Sequence, residues 1–473
     1  MQSSMSFSIL WLMLLLIFST ASFFPDSNFF AHVLYSFLGL LSYIFCITTW
    51  LRSGNRAVSL FLVFILYMLF SHLGQTLLYS LGFTDKLLSL YDWCSETSVT
   101  QMLRFHMLCP AALNVGVAFY FKRHNKNISL FKQIQEYHEN TKLDNYQQGF
   151  ALDALLLSSI LFALYSAVKF WQLRQTMSYS DFYDTLSGSN SLFKSISLVL
   201  SVTIGIVYVY KRRYQKLIYT SWLLIALIYL IGGSRGSAIL YVGALLVMVP
   251  VTHSYLFIGN KKYFWLVLGF VAFSLLSVIS SNRAGKLGAD ALVSNQSVFE
   301  NAIGTMAEMG GSALPSVLSM EACDFGQLPH YQTNIFFLLA CFLPADLVEL
   351  VTGIPNVQLA REITDYAGST WSGLGYSCVA EAYVNYGWFG WIWFILYGYV
   401  IVLLECSAYK LILQRKYFIA SLFFYVLSSA IFYARAPIYY VQGAARSCFY
   451  LWIIFIIIRL YKSVKYSRNV TVR

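Results

Sequence analysis

Twelve apolar runs of membrane-spanning length decide what this chain folds into. They lie at about 6–24, 29–50, 58–82, 98–121, 149–172, 191–210, 217–233, 237–256, 263–281, 386–408, 417–434 and 447–463. A helix needs about 20 apolar residues to cross the hydrocarbon layer, and it satisfies all its own backbone polar groups while doing so. The 473 residues are 58% hydrophobic and only 11% charged, a composition of polytopic membrane proteins. The fold class read from this is all-α and polytopic, about 12 transmembrane helices with one large external segment holding short interfacial helices. No Lys or Arg precedes the first run, so it reads as a retained helix and not as a cleaved leader.

The net charge of +11 raises nucleic acid as a partner, but the placement of the charges excludes it. Basic residues crowd into alternate connections: Arg52 and Arg56; Lys122, Arg123, Lys126, Lys132 and Lys142; Lys211, Arg212, Arg213 and Lys216; Lys261 and Lys262; Lys410, Arg415 and Lys416; and Arg459, Lys462, Lys465, Arg468 and Arg473. That is the positive-inside pattern, and it predicts both termini in the cytoplasm. The outer side receives only Lys86, Arg174, Arg235, Arg283, Lys286, Arg361, Arg435 and Arg446. Arg104 and His106 fall inside the fourth run, where a charge is a functional candidate by default; either they line a wet cavity or they pair with Asp153.

This topology divides the chain into residues 1–281, with nine spans, an external segment 282–385, and 386–473, with three spans and a cytoplasmic tail. An external connection of that size carries function more often than it merely joins. Within it Asn334–Pro344 is apolar but, at about ten residues, too short to cross. With the acidic turn at Asp346 and Glu349 it reads as an interfacial or re-entrant helix; a lid packed on the bundle is the alternative. Neither ATP nor nucleotide sugar is available outside the membrane, so chemistry there runs on a substrate that arrives activated.

Outward arginines are the first site candidates, because a guanidinium is a planar fork of donors suited to phosphate. Arg235 stands in the tight turn Gly232-Gly233-Ser234-Arg235-Gly236; Arg435 and Arg446 flank a loop containing Tyr439, Tyr440 and Gln442; Arg283 opens the external segment. Snorkelling at span ends is the bland reading of each. Glu381, Glu308 and His330 are the candidate proton acceptors, since a carboxylate in a dry site becomes a better base. Metal binding has no support: there is no DxD pair, no HExxH and no His cluster. Among the eight cysteines none forms a CxxC pair; Cys94 and Cys323 face the same side and either pair or stay free.

The turn Gly233-Ser234-Arg235-Gly236 resembles the bacterial O-antigen and capsule repeat-unit polymerases of the Wzy family. So do Glu308-Met309-Gly310-Gly311 followed by Pro315, and Gly373-Leu374-Gly375-Tyr376-Ser377 followed by Ala380-Glu381-Ala382-Tyr383-Val384-Asn385-Tyr386-Gly387. The resemblance covers about 217–408. It implies a glycosyltransferase of the bacterial cytoplasmic (inner) membrane that needs neither metal, nucleotide nor other cofactor. The growing chain would leave undecaprenyl pyrophosphate for the terminal sugar of an incoming undecaprenyl-pyrophosphate-linked unit, in lipopolysaccharide or capsule biosynthesis. Arg235, Arg435 and Arg446, with Arg283 as a fourth, would bind pyrophosphate; Glu381, Glu308 or His330 would be catalytic. Trp371, Tyr376 and Tyr383 would offer sugar-stacking faces or act as interfacial anchors. The implied partners are the lipid-linked oligosaccharide, the bilayer, and a chain-length regulator and flippase of the same pathway, with no nucleic acid. The rivals are a lipid-linked oligosaccharide flippase, disfavoured by the lack of an internal repeat, the related O-antigen ligase, and a purely structural partner in a glycan assembly complex.

Overall fold

The computed structural model describes residues 2–21, 24–52, 59–83, 89–124, 150–176, 191–210, 213–232, 235–252, 297–328, 339–353, 359–368 and 376–471. Among them every regular element is helical. The α-helices are α1 (Gln2–Thr20), α2 (Phe29–Arg52), α3 (Leu60–Ser80), α4 (Ser89–Trp93), α5 (Glu96–His106), α6 (Leu108–His124), α7 (Phe150–Thr176), α8 (Ser191–Tyr210) and α9 (Gln215–Ile231). They continue with α10 (Arg235–Thr252), α11 (Val298–Gly310), α12 (Leu314–Asp324), α13 (Ala345–Thr352), α14 (Leu359–Tyr366), α15 (Cys378–Tyr386), α16 (Trp391–Leu413), α17 (Tyr417–Phe432) and α18 (Tyr439–Thr471).

Six stretches are long and apolar enough to cross a membrane, at Phe29–Arg52, Leu60–Ser80, Glu96–His124, Asp153–Thr176, Cys378–Leu413 and Tyr439–Ile458. Shorter apolar helices run at Met5–Thr20, Val199–Val209, Gln215–Ile231 and Tyr417–Phe432. The protein is a multi-pass helical membrane protein. The expected ninth span, 263–281, lies outside the described residues.

Two groups of helices meet at α17. On one side α1, α2, α3, α6 and α16 pack together; on the other, α7, α8, α9 and α10 do. α17 touches α3, α8, α10, α16 and α18, and most of its side chains are buried, as a helix apolar all round requires. The start of α3 is buried under α16, where its first N–H groups have no helical partner. Ser59 caps Leu62, and Glu405 of α16, wholly buried, accepts from Leu60 N–H at 3.2 Å and Phe61 N–H at 3.1 Å. Glu405→Ala orphans both donors, about 1–3 kcal/mol each, and the expected result is a clear drop in Tm in detergent. Glu405→Gln, which keeps an acceptor, should fall between the two.

The described parts of the segment read as external pack on the bundle. The segment's first described helix, α11, lies backbone to backbone on α3: a Cβ on Gly74 would stand 2.3 Å from the Met306 carbonyl oxygen, and one on Gly310 2.1 Å from Gln75 N. Gln75 clasps the contact from α3, donating Nε2–H to Ala307 O at 2.7 Å and accepting from Leu90 N–H at 2.9 Å. α12 then packs on α5 and α15, with the Ser316 and Ser377 hydroxyls 2.7 Å apart and fully buried. The described parts that pack into the bundle are thus 301–322 and 376–385. Residues 339–344 instead form an exposed turn into α13, while 334–338 lie outside the described residues.

Arg104 does not pair with Asp153. Its Nη1 holds both carboxylate oxygens of Asp26, at 2.9 and 3.1 Å, and its guanidinium lies 5.6 Å from the Trp388 ring. Asp153 opens α7 and is taken by Arg213 at 2.8 Å and by the Tyr208 hydroxyl. His106 instead meets the Tyr43 hydroxyl at 3.0 Å and stacks on His72 with ring centroids 5.1 Å apart. All eight cysteines are free, Cys94 and Cys323 included. Burial pushes the Cys94 thiol up to about 12 and the Cys323 thiol up to about 11, so both are protonated and unreactive at neutral pH.

Candidate active site

The turn between α17 and α18, residues 433–438, bears Arg435 and is bonded to Glu381. Ser377 caps α15 by accepting from Ala380 N–H at 3.0 Å, which starts the helix so that Glu381 falls in its first turn. The Glu381 side chain is 2% exposed and reaches across to that turn. Its Oε2 accepts the Ile438 N–H at 3.0 Å, and the Tyr433 hydroxyl donates to the same carboxylate. Tyr433 in turn accepts from Trp393 Nε1 at 3.2 Å, while the neighbouring Tyr397 donates to Ala430 O at 3.1 Å. A buried carboxylate is tolerated only with such donors around it. The result ties the 376–387 motif to the arginine-bearing loop, two stretches more than fifty residues apart in the chain.

Arg435 lies in the middle of that turn, half-buried, with its N–H bonded to Phe432 O at 3.0 Å. Ile438, Gln442 and Arg446 follow at a spacing of four and so share one face of α18 and the residue before it. Gln442 is 5% exposed, and its Nε2 has no hydrogen-bond partner among the described residues. Arg446 donates Nη1–H to Leu343 O at 3.1 Å. Beside the turn Tyr439 and Tyr440 stack at 4.4 Å and are 50% and 46% exposed, an open aromatic face. Arginine, unpartnered amide, exposed ring pair and buried carboxylate therefore stand within one loop and its supports. Such a set can bind an anion, orient a sugar and accept a proton.

The other candidates sit elsewhere. Glu308 is half-buried in the last turn of α11, on the wall formed with α3. Arg235 begins α10, and its side chain lies outside the described residues, as do Arg283, His330 and Trp371 entirely. Tyr376 and Tyr383 are 1% and 7% exposed. Tyr383 donates to Asp324 at 2.7 Å and packs edge-on against Phe105, so it braces α15 against α12 and α5. Beside the 433–438 turn Tyr439 and Tyr440 offer open rings, whereas these two do not.

Sequence reasoning passed over Arg174. It counted as one of several outer arginines, yet it is wholly buried and donates Nε–H to Gly232 O at 3.3 Å, directly before the Gly233-Ser234-Arg235 turn. A Cβ on Gly232 would meet the Phe170 ring at 2.2 Å, so a larger residue there would force that ring of α7 to move. The available signal was its sign: an arginine on the outer side runs against the positive-inside bias and needs a local reason.

A sequence model for a family described as O-antigen polysaccharide polymerase Wzy matches residues 5–469, nearly the whole chain. No curated protein matches the chain, and no solved structure does.

Proposed function

Because the chain belongs to the O-antigen polysaccharide polymerase Wzy family, we propose that it joins lipid-linked oligosaccharide repeat units on the outer face of the bacterial inner membrane, with both termini cytoplasmic. The donor is the growing chain on undecaprenyl pyrophosphate; the acceptor is one repeat unit on the same carrier. The terminal sugar hydroxyl of the acceptor attacks the anomeric carbon of the donor. The bond from that carbon to the pyrophosphate oxygen breaks, and the electron pair leaves with the pyrophosphate. Arg435 and Arg446, with Arg235 and Arg283, bind the charge that grows there, and electrostatic stabilisation of this kind is usually the largest catalytic contribution. Glu381 takes the hydroxyl proton. Gln442 supplies an amide donor to the bound headgroup, and Tyr439 and Tyr440 a stacking face for a sugar. Arg174 anchors Gly232, three residues before Arg235 in the chain.

One observation carries this reading: the Glu381 carboxylate is bonded to the backbone of the loop that bears Arg435. It supports a single site assembled from two distant motifs, which a structural partner would not need. The first test is the length distribution of surface glycan in a deletion strain complemented with variants. Deletion should leave glycan with a single repeat and no ladder. Arg435→Ala and Arg446→Ala should each lower polymerisation by about 10²–10³-fold, with Arg435→Lys only partly restoring it because an ammonium lacks the planar fork. If no repeat reaches the surface at all, the protein is a flippase. If long chains accumulate on the carrier without transfer, it is a ligase. Purified protein should act without nucleotide and in excess chelator.

A further inference from the structure

We propose that residues 339–351 form a membrane-surface strap, which lies in the headgroup–acyl boundary of the bilayer and sets the height of Arg446. Within α13, Leu347, Leu350 and Val351 are spaced i, i+3 and i+4 and so stand on one face, with 41%, 79% and 72% of their surface exposed. Asp346 and Glu349 are exposed on the same helix, and only Val348 turns inward. The preceding turn adds Leu339, Phe342 and Leu343, exposed by 41%, 49% and 37%. A water-facing segment does not keep so many large apolar side chains in the open, and a contiguous face of this kind marks a docking surface.

The bilayer is the occupant because the patch continues a surface that already faces lipid. Phe342 packs edge-on against Phe449 of α18 at 5.1 Å, and Arg446 of α18 donates to Leu343 O at 3.1 Å. α18 belongs to a candidate span of which only 17% is buried inside the protein. Its uninterrupted apolar run begins just past Arg446, with Phe449, Tyr450, Trp452, Ile454 and Phe455 in succession, and Tyr450, Trp452, Ile454 and Phe455 are exposed. A cation followed by aromatic residues is how a span marks the headgroup level. The strap meets α18 at that level, so its apolar face enters the same layer while Asp346 and Glu349 stay with the headgroups. A short amphipathic helix with this division of sides is an interfacial element. The strap fixes Arg446 through a backbone carbonyl, so its depth also fixes where this guanidinium waits. That placement matters to the proposed reaction, but the docking claim stands without it.

The test uses the full chain in nanodiscs, with a small fluorescent amino acid incorporated at position 350 or, in a second protein, at 346. This leaves the native cysteines in place. Phospholipid brominated high in the acyl chain should quench the probe at 350 at least about twofold more than the probe at 346, with aqueous iodide showing the reverse order. Stronger iodide quenching at 350 would place the face in water and overturn the proposal. A probe at 350 shielded from both quenchers would mean that protein covers it, a second copy included, and would overturn it equally. Neither result bears on whether the protein polymerises glycan, which the ladder assay reads separately.

Discussion

Replacing Glu381 by Gln is expected to abolish the glycan ladder while leaving the folded protein as stable as before. The carboxylate has two jobs that this substitution separates. As a latch it accepts the Ile438 N–H at 3.0 Å and the Tyr433 hydroxyl. A glutamine keeps one carbonyl oxygen for Ile438, and its amide can donate to the second lone pair of Tyr433. As a base it takes the acceptor proton, which a neutral amide cannot do. Loss of general-base catalysis lowers a rate by about 10²–10⁴-fold, enough to erase a ladder built by repeated transfers. Glu381→Ala should fail twice, because it also orphans a buried N–H at about 1–3 kcal/mol and so lowers Tm. If the Gln variant makes ladders of normal length while Ala loses both ladder and stability, Glu381 is only the latch. The proton acceptor is then to be sought at Glu308 or His330.

The all-helical class was legible because lipid leaves so few choices. Runs of apolar residues must become helices, and the described helices fall on eleven of the twelve runs. Glu381 stood out in the sequence as a candidate, since a carboxylate among small residues and aromatics has little reason to be there; its bond to the Ile438 N–H could not be read. What could not be read was partnership. Arg104 could have met Asp26 or Asp153, and nothing in its own run says which; the α1–α2 turn decides it by lying within reach of α5. Glu405 drew no notice in the sequence, because its role is to finish a helix that begins 345 positions earlier. Tyr376 and Tyr383 read as either sugar-stacking faces or interfacial anchors, because the sequence does not say whether an aromatic ring near a membrane surface is open or buried as a brace. Only burial separates the two uses, and burial depends on where α12 and α5 come to rest. The contacts of the segment between the ninth and tenth runs were hidden in the same way. Nothing in its sequence says that 301–322 and 376–385 pack against the bundle, where Gly310, Ser316 and Ser377 allow close approach at small volume.

Close approach also governs the second large effect, expected at Gly116. α6 and α16 cross with their backbones touching: a Cβ on Gly116 would stand 2.0 Å from Ile395 O and 2.9 Å from Tyr399 N. The partner glycine answers it, since a Cβ on Gly398 would stand 2.4 Å from Leu113 O. Small residues at such crossings matter because lipid offers no hydrophobic drive between helices, and packing must hold them. The obstructing atoms here belong to the main chain, so no side-chain rotation relieves them and the helices must part. Gly116→Ala should therefore lower stability by at least about 1–3 kcal/mol, the cost of overpacking a closed interior. Movement of α16 would carry Glu405 away from the start of α3 and would shift the 387–390 turn, against which α15 and Glu381 rest. Activity should fall together with Tm, unlike the clean loss expected for Glu381→Gln. Gly443→Ala is the control, because a Cβ there meets nothing within 4 Å and alanine suits a helix better than glycine by about 1 kcal/mol. Thermal unfolding in detergent, followed by fluorescence-detected gel filtration, compares the three proteins directly. If Gly116→Ala elutes and melts like wild type, α6 and α16 do not cross backbone to backbone. α16 then does not rigidly join the α3 cap to the 387–390 turn.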